Sequence, residues 1–234
     1  MESSSIQPPA GLLPVLESAA RLQEVVPDAV LVGGSASAVY AGHRLSFDHD
    51  HALELRERYE AVLEAVEATD GRATSVRASK PPLTIMGRLG GIEAGLRQLR
   101  RRRPLETHIV DVAGRQLRIP TLPETLRVKA YLVLQRNQVR DYLDVAALAD
   151  RMGILEAASA LEKIDEYYDD RSADDESVVT ALVPRLADPA PRDHRTLADL
   201  PRYKGLSKRW HDWEESRRVC SDLAQAILNG TRHV

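Results

Sequence analysis

The chain has 234 residues, 43% apolar and 29% charged, which suits a globular protein with a real core, as one domain or one domain plus an appendage. A net charge of −3 and only 4% aromatics exclude a protein coated in positive charge for nucleic acid or built on base-stacking platforms. No apolar stretch approaches the ~20 residues that span a bilayer, so no membrane is expected; the lone Cys220 excludes an internal disulfide or a cysteine-based zinc site and points to a reducing compartment, by default the cytoplasm.

The start, MESSSIQPPAG, lacks the basic end and apolar block of a secretory signal, and residues 1–10 read as a disordered leader. Leu12, Val15, Leu16, Ala19, Ala20 and Leu22 recur at helical spacing over 11–26. A short apolar run at 29–32 reads as a strand. Gly33-Gly34-Ser35 then opens a helix of small residues to His43, and 46–53 alternates like a strand. A helix is expected over 55–69, a turn at Asp70-Gly71 and a strand over 73–78. Residues 83–89 and 92–99 flank Gly90-Gly91 as a hairpin, and 105–112 and 116–119 form another strand pair. From Glu124 the period is helical: 124–136, 139–152 and 154–164 are helices, 168–177 is an acidic loop, 186–201 is Pro-rich without a period, and 203–228 is a last helix carrying Trp210 and Trp213. The fold class is α/β with a mixed sheet over residues 1–121, followed by a helical part over 122–234.

Asp48 and Asp50 stand two apart in a strand pattern, so both project from one face. Carboxylates that close repel unless a cation lies between them, and hard oxygen ligands suit Mg²⁺ or Mn²⁺. Upstream, Gly34 and Ser35 open a helix whose free N–H groups suit a phosphate. Strand, Gly-Gly-Ser, helix and Asp-x-Asp strand together can hold a nucleoside triphosphate (NTP) and its metal. The bland alternative is a solvated strand face. His49 and His51 fall on the opposite face, which suits packing. Arg44 is a candidate phosphate clamp or a support for the aspartates, or a surface arginine.

Gly33-Gly34-Ser35, His43-Arg44-Leu45-Ser46 and Asp48-His49-Asp50 resemble the first motifs of the AbiEii-like nucleotidyltransferases, which include toxins of type IV toxin–antitoxin and abortive-infection systems. A second match runs over KAYLVLQRNQVRDYLD, with Lys129, Arg136, Arg140, Asp141 and Asp144 in the family's lysine, arginine and Arg-Asp-x-x-Asp positions. The resemblance implies a nucleotidyltransferase fold and transfer of a nucleotide from an NTP to a hydroxyl of a protein or of a transfer RNA (tRNA). It also implies a cognate antitoxin as partner.

The residues agree with that expectation. Lys129 shares a helical stripe with Leu126 and Val133, where an ammonium is costly unless it meets water or an anion. Arg136 follows on the same face, and Asp141 and Asp144 are three apart on the next helix. A triphosphate in a cleft where the two halves meet would give these cations a partner; a helix-pinning salt-bridge network is the alternative. The expected roles are metal binding by Asp48 and Asp50, catalysis by these two with Lys129 and Asp141, and nucleotide binding by Gly34, Ser35, Arg44, Arg136 and Asp144. Enzymes of this broad fold commonly use a third carboxylate on a later strand, and Glu93, Glu106 and Asp111 all have strand-like settings; the resemblance offers Asp141 for that role instead. The run Arg97, Arg100, Arg101, Arg102 and Arg103 fits an RNA backbone or a triphosphate tail as well as a solvated connection. Two rival readings are therefore an inactive interaction protein that keeps the fold and an RNA-binding module using Arg97–Arg103.

Overall fold

The first helix, α1 (Leu13–Val25), starts where Pro14 fits the first turn and turns Val15, Leu16, Ala19 and Leu22 inward. A strand, β1 (Val30–Val32), leads into α2 (Gly33–Ala41) at Gly33, whose φ of +77° favours glycine. Next come β2 (Asp48–Leu53), α3 (Tyr59–Ala68), β3 (Thr74–Lys80), β4 (Thr84–Leu89) and β5 (Ile92–Gln98). Two further strands, β6 (Thr107–Val112) and β7 (Arg115–Pro120), precede the helices α4 (Leu122–Arg136), α5 (Val139–Met152), α6 (Ile154–Glu162), α7 (Val178–Ala187) and α8 (Trp213–Gly230). This computed structural model describes residues 8–68, 74–101, 103–168, 177–203 and 205–230. The expected leader up to residue 7, the Asp70-Gly71 turn, Arg102 and most of the acidic loop, 169–176, lie outside the described residues.

The chain divides into two compact units. One holds Met1–Val39, Leu45–Arg100 and Leu105–Thr121. Its main sheet has the order β1-β2-β5-β4-β3, with β2 and β5 parallel and the other pairs antiparallel, so the sheet is mixed. The β4–β5 hairpin turns at Gly90 and Gly91, both at positive φ, as the sequence requires. The strands β6 and β7 form a separate two-stranded sheet. Leu22, Val26, Leu53, Tyr59, Val62, Ile85 and Leu96 pack as the core of this unit. On β2 the alternation holds from Asp48 to His51: His49 and His51 are buried, and the His49 ring lies edge-on to His51 and 3.0 Å from Ser18 Oγ.

The other unit holds Leu122–Val234 together with Tyr40–Arg44 and Arg101–Pro104. The core of α4 to α8 is continuous and includes the fully buried Leu126, Val133, Tyr142, Leu143, Leu148 and Leu161. Helix α7 is absent from the sequence reading, although Val178, Leu182 and Leu186 repeat every four residues and Ser177 caps it by accepting from Thr180 N–H. The final helix starts later than expected. Gly205, at a φ of +61°, interrupts the run, so Trp210 sits on a 3₁₀ turn (Lys208–His211) and α8 begins at Trp213.

Between α4 and α5 the chain turns on Asn137, at a φ of +51°. Its side-chain oxygen accepts from Tyr142 Oη at 2.6 Å, and its amide donates to the Ala190 carbonyl at 2.9 Å. Left-handed backbone is cheap for Asn and costly for Ala. Asn137→Ala is expected to lower unfolding stability by about 2–3 kcal/mol, and Asn137→Gly, which tolerates the turn, by about 1–2 kcal/mol. Urea denaturation of the two variants measures both, and equal losses would contradict the backbone argument.

Candidate functional site

In the sheet unit, Asp48 is exposed and Asp50 half-buried on one face of β2. Ser46 Oγ donates to Asp48 Oδ1 at 2.9 Å, and Arg97 Nε donates to Asp50 Oδ1 at 3.1 Å. Neither Oδ2 has a hydrogen-bond partner among the described residues, so each carboxylate keeps one oxygen for a ligand. Two same-face carboxylates with open oxygens fit a hard divalent cation that completes its shell with water and phosphate oxygens. Ser35 is buried and its hydroxyl donates to the Asp48 carbonyl at 2.6 Å, fixing the start of α2 to the start of β2. That bond gives Ser35 a positioning role that its motif alone did not disclose, while Gly34 stays half-buried in the first turn of α2.

Gly95 is a member of this group that the sequence reading passed over. It lies opposite Asp50 on β5, and a methyl there would overlap Asp50 Oδ1 and come within 2.9 Å of Met86 Sδ. An isolated glycine inside a strand pattern is the signal that could have found it. The three candidate third carboxylates separate clearly. Glu93 pairs in register with Asp48 on the adjacent strand, and also meets Arg88 across the hairpin at 3.3 Å. Asp111 belongs to the β6–β7 sheet, where Oδ1 accepts from Gly114 N–H, and Glu106 precedes that sheet. No cluster of three or more His, Cys, Asp or Glu poised for a metal occurs among the described residues.

The arginine run is not a bare cationic face. Arg97 meets Asp50, the buried Arg101 meets Glu124, and Arg103 meets Glu166 at 2.8 Å. Arg101, Arg103 and Arg127 also lie over the Tyr167 ring. This weakens the case for the run as an RNA-binding surface.

In the helical unit, Asp144 on α5 is fully buried and accepts four bonds. His43 Nε2 and Arg44 Nε reach Oδ1 at 2.7 Å each, and Arg44 Nη2 and Lys129 Nζ reach Oδ2 at 2.9 and 2.8 Å. A carboxylate only accepts, so His43 carries its proton on Nε2. Burial lowers the pKa of His43 and Lys129, with Asp144 pulling both back. Burial alone would raise Asp144; Arg44 and Lys129, with the bonds from His43 and Arg44, outweigh it and hold its pKa well below the usual aspartate value. Asp141, also buried, pairs with Arg136 and accepts from Gln138 N–H in a capping box at the start of α5. Burial pushes its pKa up against the pull of Arg136. Lys129, Arg44 and Asp144 thus form a salt-bridge network that pins α4 to α5, and Arg136, with 35% of its side chain exposed, is more accessible than Lys129 or Arg44.

Compared with solved structures, MenT4, a nucleotidyltransferase toxin from Mycobacterium tuberculosis, superposes over 92% of this chain and 80% of its own, with a TM-score of 0.54 at 15% identity. The fold is that of a nucleotidyltransferase. No protein-family model matches the chain. Among curated sequences, the heme uptake protein MmpL11 of Mycobacterium tuberculosis is 33% identical over 257 aligned positions, covering 98% of the chain. The mycolic acid-containing lipids exporter MmpL11 of Mycolicibacterium smegmatis is 41% identical over 129 positions, covering 55% of the chain. The chain spans only 24% and 13% of those two proteins. Among the described residues no helix is long and apolar enough to cross a membrane.

Removing the Asp144 charge leaves Arg44 and Lys129 buried against a neutral amide. Asp144→Asn is expected to cost about 3–5 kcal/mol of stability. In the wild type the folded pKa of Asp144 lies below the unfolded value of 3.8, so its contribution is complete above that pH and is lost as pH falls through the folded pKa. Denaturation of both proteins from pH 7 downward tests this: the gap between them should be constant to about pH 4 and narrow below it.

Proposed function

We propose that this chain is a metal-dependent nucleotidyltransferase that moves a nucleotide from an NTP to a hydroxyl of a protein or tRNA. The observation that carries the reading is the same-face pair Asp48 and Asp50, each with one open carboxylate oxygen, beside a strand-to-helix turn at Gly33. Asp48 and Asp50 would hold Mg²⁺ or Mn²⁺. When bound, the cation stabilises the attacking and leaving oxygens of an in-line displacement. Ser46 orients Asp48 through Oδ1, Ser35 anchors the Asp48 backbone, and Gly95 leaves Asp50 its room. Gly34, in the first turn of α2, offers backbone N–H to phosphate.

The roles proposed for the helical unit follow its burial. Asp141, with its raised pKa, is the candidate for orienting or deprotonating the acceptor, and Arg136 for phosphate charge. Lys129 is 2% exposed and bonded to Asp144, with Arg44 on the same carboxylate, so a phosphate role for these groups requires that cluster to open. The fold shared with MenT4 and the AbiEii-like motifs support a further part of the proposal: a toxin of a type IV toxin–antitoxin system, with a cognate antitoxin as partner.

The test is label transfer from each α-labelled NTP with Mg²⁺ or Mn²⁺, against cellular protein and tRNA. Asp48→Asn and Asp50→Asn should each abolish labelling while thermal melting stays at the wild-type value; full activity in either overturns the proposal. Gly95→Ala, which displaces the Asp50 carboxylate, should lower the rate by at least about tenfold. A metal-bound NTP at ~100 times its Kd should add ~2.7 kcal/mol to wild-type stability and nothing to Asp50→Asn. An inactive interaction protein would show neither the labelling nor the shift.

A further inference from the structure

The ion pair between Arg97 and Asp50 differs from the buried arginine–carboxylate pairs of this protein and is as exposed as its surface pairs, such as Arg88–Glu93 and Arg103–Glu166. Arg44 grips Asp144 through both Nε and Nη2 in a buried setting, and Arg101 meets Glu124 with neither side chain exposed. Arg97 is 49% exposed and Asp50 31% exposed, and Nε alone makes the bond. Both terminal nitrogens of the guanidinium are left without a hydrogen bond among the described residues. A half-solvated, single-bond pair is held weakly.

Sheet register explains why the two meet. In the parallel β2–β5 pairing, Asp50 lies opposite Gly95 and Ala52 opposite Arg97. Arg97 therefore projects from the face that carries Asp48 and Asp50, one side-chain repeat along. Gly95 supplies no side chain between them, and the arginine reaches across that gap to Asp50 Oδ1. It thus puts a positive charge on one oxygen of the acid pair, beside the open oxygen that a divalent cation would take.

We propose that Arg97 is an exchangeable partner of the acid pair: it neutralises Asp50 while no cation is bound, and turns to the phosphate oxygens of the nucleotide when a divalent cation takes Asp50. This rests on the reading of Asp48 and Asp50 as metal ligands. The guanidinium fork suits a phosphate, with its unused nitrogens giving paired, charge-assisted hydrogen bonds. A divalent cation on the open Oδ2 neutralises the carboxylate and repels the guanidinium on Oδ1, which supplies the force that releases it.

The proposal makes two predictions of opposite sign for one variant. Arg97→Gln should bind Mn²⁺ alone about three- to fivefold more tightly than wild type, because no cation competes for Asp50. The same variant should bind inorganic triphosphate in the presence of Mg²⁺ about tenfold more weakly. Calorimetric titration reads both, and Arg97→Lys should fall between Gln and wild type in each. Asp50→Asn is the control. If it loses Mn²⁺ binding while Arg97→Gln changes neither affinity, or moves both in one direction, the exchange is overturned and the metal reading stands. If Asp50→Asn binds Mn²⁺ like wild type, both fall together.

Discussion

Four hydrogen bonds converge on Asp144, and the helical unit is arranged to let them. The carboxylate lies out of water with His43, Arg44 and Lys129 as its donors. A charge in that position is tolerable only when its lone pairs are filled and an opposite charge is near. Meeting the requirement ties α4, through Lys129, to α5, through Asp144, and to the segment that carries His43 and Arg44. That segment precedes the helices by about eighty residues yet belongs with them. Its backbone is held too, because Ser207 N–H donates to the His43 carbonyl at 2.8 Å. The result is an unusually specific tether, since a partner of the wrong length or charge would leave a buried ion exposed to no solvent at all.

The sheet unit obeys a different constraint. The two-residue repeat of β2 sorts histidines to the core and aspartates to the outside with no bulge, and on the neighbour β5 Glu93 and Arg97 lie exposed while Leu96, opposite His51, is buried. A carboxylate pair built on a strand inherits the stiffness of the sheet. Its fine position is then set by small things: a serine hydroxyl on Asp48, a missing methyl at Gly95, an arginine on Asp50. Chemistry that depends on fractions of an ångström is well placed on such a support.

Much of this was legible in the chain. Alternation put Asp48 and Asp50 on one face, Gly90-Gly91 gave the hairpin, and helical spacing located α4, α5 and α6 within a few residues. The AbiEii-like motifs pointed to the fold. What sequence could not give was pairing in space. Lys129 on an apolar stripe demanded an anion, but whether that anion was a ligand or Asp144 depended on a fold-level contact. Strand order was likewise hidden: Glu93, Glu106 and Asp111 had equal local patterns, and only the parallel pairing of β2 with β5 set Glu93 apart. The arginine run looked uniform because charge counting ignores partners; Glu124, Glu166 and Asp50 come from distant stretches. Helix α7 went unread because Pro184 and Pro-rich neighbours masked a regular apolar repeat.

Both tryptophans of the chain lie in the helical unit. Trp210 is buried beneath Arg209, and Trp213 meets the ring of Tyr142 edge-on at 6.1 Å. Tyr142 is also the residue that bonds the Asn137 turn. Indole emission is therefore a local reporter, sensitive to the seam between α5 and α8 and silent about the strands that carry Asp48 and Asp50. Circular dichroism samples both units at once, and a difference between the two signals would resolve melting of the helices from melting of the sheet.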